Sequence, residues 1–169
     1  MKKSILVCFV LIILFAQNVS SQQLGDTYTD KSGVFSISMP RGWQTIDVGM
    51  KYQGIAGPAE GGITPNMSFI DEAFSGAVSA YIDAALVQLP LIFQGFTLLN
   101  RNSFRTNAGI TGESMTYIMT MGTVRMRVKQ YVLPNRNGTM VMVISCGAPV
   151  NAERYDAFYD SVARTFNWR

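Results

Sequence analysis

Between Gly112 and Cys146 the chain holds three successive strand-like runs, the first two with alternating side chains, and no other feature restricts its fold so sharply. Met115, Tyr117 and Met119 alternate with Ser114 and Thr116, and Met126 and Val128 alternate with Arg127 and Lys129. Thr139 to Cys146 follows as a mostly apolar run. A period of two is the signature of a strand with two chemically different faces. Met121-Gly122 and Asn135-Arg-Asn-Gly138 interrupt the runs with turn chemistry, and Asn137-Gly138 is a favoured hairpin dipeptide. With Met121-Gly122 as the bend, Met119 is expected opposite Val124, Tyr117 opposite Met126 and Met115 opposite Val128. Thr116 then meets Arg127, and Ser114 meets Lys129. One face is apolar and the other polar, so a one-residue slip would scramble both.

The flanking segments complete an antiparallel design. Thr27 to Thr29 and Gly33 to Met39 read as strands joined by the turn Asp30-Lys-Ser-Gly33. The corner Pro40-Arg-Gly42 delivers Trp43, a core or edge anchor, into a strand ending near Val48. Gln53 to Asn66 is a Gly/Pro-rich loop with at most a short strand near its start, and Met67 to Glu72 is another strand. Ser75 is the expected cap of a helix reaching about Phe93, with Ala77, Ala80, Tyr81, Ala84, Val87 and Leu91 as its apolar face and Pro90 disturbing its last turn. Phe96 to Thr106 reads as a strand. A second helix, from about Asn151 to Thr165, carries Tyr155, Phe158, Tyr159, Val162 and Phe166 on one stripe, with Glu153 in its first turn. These elements predict one α+β domain with a mostly antiparallel sheet flanked by helices.

The N-terminus sets the expected compartment. Lys2 and Lys3, the apolar run Ser4 to Phe15 and the small-residue exit at Val19-Ser20-Ser21 have the layout of a secretory signal peptide. Residues 1–21 are therefore read as a signal peptide and 22–169 as a single exported domain, periplasmic or extracellular, with no transmembrane segment after cleavage. Cleavage removes two of the 14 basic side chains against 11 acidic ones, leaving a net charge of +1. Such a balance gives no general attraction for nucleic acid.

Counts of two residue types narrow the chemistry further. The sequence contains no histidine, which excludes Ser-His-Asp and Cys-His catalysis and histidine-ligated metals. Cys146 is the one cysteine outside the signal peptide, and its apolar surroundings mark it as a buried small hydrophobe. Met115, Met119, Met121, Met126, Met140 and Met142 follow strand alternation, as core filling does, and no cofactor is called for. Asp26 and Asp30, then Asp71-Glu72, lack the compact loop of a calcium site. Arg125, Arg127 and Lys129 share one strand face, continued by Tyr131, and form the candidate partner surface for an acidic protein, an anionic glycan or a phosphate-bearing lipid.

Gly33-Val-Phe-Ser-Ile-Ser-Met-Pro-Arg-Gly-Trp43 resembles the opening of PsbP-like (DcrB-type) domains. Pro65-Asn-Met-Ser68 resembles their next strand start, and the meander followed by a helix ending in Ser161-Val-Ala-Arg-Thr-Phe166 resembles their close. The resemblance spans residues 26 to 167. It implies an α/β/α sandwich and an accessory or binding role, and carries over no catalytic residue. The expected function is a non-catalytic binding or accessory protein of the bacterial cell envelope, its partner another envelope or extracellular protein. A small-ligand carrier with a pocket between sheet and helix, gated by the Gly-rich loop, is the second reading. A glycan hydrolase working through Asp/Glu pairs is the third.

Overall fold

A computed structural model of the protein describes residues 23–169; the signal-peptide reading of 1–21 lies outside the described residues. The strands β1 (Leu24–Thr29), β2 (Phe35–Pro40), β3 (Gln44–Ile46), β4 (Gly54–Ala56) and β5 (Asn66–Ala73) precede helix α1 (Val78–Ile92). Strands β6 (Gln94–Arg105), β7 (Thr111–Met121), β8 (Val124–Pro134) and β9 (Met140–Pro149) follow, then helix α2 (Arg154–Ala163) and the short β10 (Asn167–Trp168). The chain forms two antiparallel sheets, ordered β1-β2-β10 and β3-β4-β5-β9-β8-β7-β6.

Both faces of the larger sheet are covered. Met126, Val128 and Val132 of β8, with Val141 and Val143 of β9, pack beneath α1. The intervening Tyr131, Leu133, Met142, Ile144 and Cys146 pack beneath α2 and the smaller sheet. Strand alternation thus divides one sheet between two cores. The smaller sheet is stapled to the α2 side by Phe35, whose ring lies 4.9 Å from Phe69 and 5.5 Å from Phe166. Trp43, delivered by the Pro40–Gly42 corner, is buried 5.5 Å from Phe158 and 6.2 Å from Tyr159. A Cβ on Gly57 would lie 2.5 Å from the Trp43 ring, so the first part of the Gly-rich segment is packed backbone rather than a gate.

Three sequence expectations are corrected. The polar face of the meander is not half-solvated: Thr116, Arg127 and Lys129 are buried, the last two against α2. The hairpin register differs by two residues: Met121 pairs Val124, Met119 pairs Met126 and Tyr117 pairs Val128 around a Gly122-Thr123 loop. Gly122 has φ +63°, matching the glycine that a II′ turn takes at its first loop position. Shifting the bend by one residue slides each partner by two, so every side chain keeps its face and alternation alone leaves this choice open. The third correction concerns α1. Val78, Tyr81, Ile82, Ala85, Leu86 and Leu89 face the core, whereas Val87 and Leu91 are 65% and 77% exposed. The cap is Ala77 without a side-chain hydrogen bond, and Pro90 sits inside the helix. Only Ser79, Asp83 and Gln88 give this helix strongly polar positions, so its periodicity singles out no face.

Candidate functional site

The four candidate surface residues separate on folding. Arg125 is exposed, whereas Arg127, Lys129 and Tyr131 lie buried beneath α2 and present no docking surface. Arg127 makes a two-pronged bond to Asp156, Nε to Oδ1 at 2.8 Å and Nη2 to Oδ2 at 2.6 Å. Lys129 Nζ lies 2.7 Å from Asp160 Oδ1 and donates to the Asp156 carbonyl at 3.3 Å. The Tyr131 hydroxyl donates to Asp160 Oδ1 at 2.8 Å. Two residues along a strand advance about 6.6 Å and four along a helix about 6 Å, so the pairs 127/129 and 156/160 match in spacing. This network is a helix-docking device. The Asp156 carboxylate raises the Arg127 guanidinium, and burial raises both the Tyr131 hydroxyl and the Cys146 thiol. Cys146 is therefore held as the inert thiol.

The acidic candidates do not converge. Asp30 is a turn cap, accepting from the Ser32 amide at 2.9 Å and from its hydroxyl. Asp71 and Glu72 are adjacent on β5 and point to opposite faces: Asp71 meets Lys51 at 2.5 Å, whereas Glu72 acts on Tyr81 beneath α1. Two carboxylates on opposite faces of a sheet have no common substrate bond to act on. Among the described residues no group of three or more acidic or cysteine side chains is placed to hold a metal ion.

Two adjoining recesses lie at the β8–β9 hairpin end. Gly33, Val34, the Lys51–Asp71 pair, Arg136, Trp168 and Arg169 line a recess of about 500 Å³. A second recess of about 280 Å³, lined by Ala108–Thr111, Pro134 and Asn167, adjoins it through Asn135, Arg136 and Trp168. Asn135 shapes the hairpin: its side-chain oxygen accepts from the Thr139 and Met140 amides at 3.0 and 3.3 Å. Gly138 completes the loop at φ +64°, leaving Arg136 and Asn137 outward. The Trp168 indole N–H donates to the Pro134 carbonyl at 2.9 Å, which fixes the ring as the shared wall. Side chains of three cations face one carboxylate here, and Lys51 already neutralises that carboxylate. The sequence did contain a signal for this site, the Arg136 of an otherwise tight hairpin, but nothing in it places Lys51, Trp168 and Arg169 beside that hairpin.

A two-sided sandwich of this topology is the PsbP-like fold. The solution structure of PsbP from the cyanobacterium Synechocystis sp. PCC 6803 superposes with a TM-score of 0.62 at 17% identity, over 85% of this chain and 92% of that one. LpqN of Mycobacterium tuberculosis, a protein involved in cell envelope biogenesis, aligns at 0.59 and 13% identity, over 85% and 89% of the two chains. The Ran-binding protein Mog1p of Saccharomyces cerevisiae aligns at 0.58 and 8% identity, over 86% and 96%. No family model and no curated protein matches the sequence. No helix among the described residues is long and apolar enough to cross a membrane.

Proposed function

We propose that the protein is an exported, non-catalytic accessory protein of the bacterial cell envelope that binds another macromolecule through the recessed hairpin end. The observation that carries this reading is the pair of confluent recesses around Trp168, walled by Arg136 and Arg169. Both guanidinium groups stand at the surface, Arg136 in none of the ion pairs among the described residues and Arg169 donating to Thr29 Oγ1 at 3.4 Å. They suit an acidic segment of a protein partner. The fold shared with an envelope-biogenesis protein, and the signal-peptide layout of residues 1–21, support the location.

Native mass spectrometry of the protein purified from its own host tests the reading. The expected species starts near Gln22 and shares its mass with a second polypeptide, and Arg136→Glu with Arg169→Glu releases that polypeptide. A reproducible small-molecule adduct would favour a carrier instead. Turnover of a substrate abolished by one carboxylate substitution would overturn the non-catalytic assignment.

A further inference from the structure

The smaller sheet has an open edge at the recesses around Trp168. β10 is an edge strand of that sheet and pairs with β2, Asn167 opposite Ser36 and Trp168 opposite Phe35. The Arg169 N–H donates to the Val34 carbonyl at 2.9 Å, so the bonded pairs of this ladder are 169/34 and 167/36, and 168/35 is a pair without mutual bonds. The other side of β2 agrees: the Phe35 carbonyl accepts from the Asp30 N–H at 3.0 Å and so faces β1. The Trp168 N–H and C=O therefore point away from β2, to an edge where no described strand pairs with them. Both β10 residues line the smaller recess, together with Gly109 to Thr111 of the β6–β7 turn. The edge is held in place by the Trp168 indole bond to Pro134, and the turn by the Asn107 N–H, which donates to the Arg164 carbonyl at 2.7 Å. No acidic side chain lines the smaller recess, and Asp71 in the larger is already paired with Lys51.

We propose that this edge takes an extended acidic segment of the protein partner as a fourth strand of the smaller sheet. The inference rests on the function proposed above and adds the conformation and register of the segment. An α-helix satisfies its own backbone groups, whereas an extended segment turns the N–H and C=O of every second residue toward a neighbouring strand. One such residue, set opposite Trp168, exchanges two backbone bonds with it. Strand alternation then places a neighbouring residue of the segment opposite Arg169, with its side chain on the same sheet face as the guanidinium. A carboxylate there meets Arg169, and the segment passes Arg136, which lines both recesses. β10 is two residues long, so its backbone bonds set the register while the two arginines select an acidic segment over a neutral or basic one.

The test is nuclear magnetic resonance on isotope-labelled protein purified from its own host. The probe is an acetylated, amidated octapeptide of alternating threonine and glutamate, which places every carboxylate on one face of an extended chain. In the expected register a threonine lies opposite Trp168 and a glutamate opposite Arg169. The peptide should bind saturably and slow exchange of the Trp168 backbone amide. N-methylation of the threonines should weaken binding by about tenfold, the order expected for losing a backbone bond while its partner carbonyl stays in the recess. N-methylation of the glutamates, whose N–H groups face away from β10, should leave the affinity within about twofold, since no bond to β10 is lost. Arg169→Glu should abolish binding while the Trp168 indole resonance keeps its native position. Equal binding of both methylated peptides, with Trp168 exchange unchanged, overturns the strand register and leaves an acidic partner at the recess standing. Absence of binding at about millimolar peptide, the weak end of specific recognition, also overturns the inference. The function proposed above is judged apart from it, by whether Arg136→Glu with Arg169→Glu releases the copurified polypeptide.

Discussion

Arg127 shows how much of this molecule's identity rests on single side chains. An ion placed on a sheet face under a helix is tolerable only when its partner is delivered in matching geometry, and Asp156 meets the guanidinium with both oxygens. Removing one partner leaves the other charge buried without compensation. Asp156→Ala should therefore cost about 3–5 kcal/mol, read as a shift in the denaturant midpoint. Pairing it with Arg127→Met should recover most of that loss, because an apolar pair of similar volume needs no charge partner. If the double variant is as unstable as the single one, the interaction is not the source of the cost. The same logic explains why the basic stripe misleads as a surface: Arg127 and Lys129 look solvated when read along the strand, and only the facing Asp156 and Asp160 show them to be covered.

Elements are positioned here by turns and by bridges between distant segments. The β7–β8 loop needs a positive φ at Gly122. Gly122→Ala should destabilise by about 1 kcal/mol through left-handed strain, while amide cross-peaks keep the Met119–Met126 register; a two-residue slip would instead be seen as a Met119–Val124 pairing. The Gly-rich segment is tied to α2 by Glu60, which meets the Arg154 guanidinium and accepts from the Tyr155 hydroxyl at 3.0 Å. The Arg154 bond holds the Glu60 carboxyl below its usual value. A carboxyl depressed by folding stabilises the native state at neutral pH, and that contribution disappears as pH falls through the folded value. Melting temperature should accordingly fall less between pH 7 and pH 3 in Glu60→Gln than in the parent. Identical pH profiles for the two proteins would show that the bridge contributes nothing to α2 docking.

At the scale of the whole molecule, β8 and β9 form the shared wall of two cores, with side chains buried alternately on both sides. Their amides should exchange with solvent only on global unfolding, whereas those of β6, an edge strand exposed along most of its length, should exchange through local opening. Hydrogen exchange followed residue by residue checks this order, and β6 protection equal to that of β8 would contradict it. The ends of β8 also differ: Arg136 lines a cationic recess at one hairpin, and the exposed Met121 and Val124 flank the turn at the other. That polarity is a property of no single segment.

Local chemistry along the chain determined the strands other than the short β10, both helices, the apolar stripe of α2 and the burial of Cys146. Period-two alternation, turn residues and composition act over a few neighbouring positions, and Phe35, Trp43 and Tyr159 are buried as their patterns require. Tertiary structure alone decided which face of α1 is buried, because an almost wholly apolar helix offers the sheet several equivalent faces. It also decided the covering of Arg127 and Lys129 by α2. Each of these depends on contacts between residues far apart in the chain, and the physical pattern around either residue alone is compatible with both outcomes.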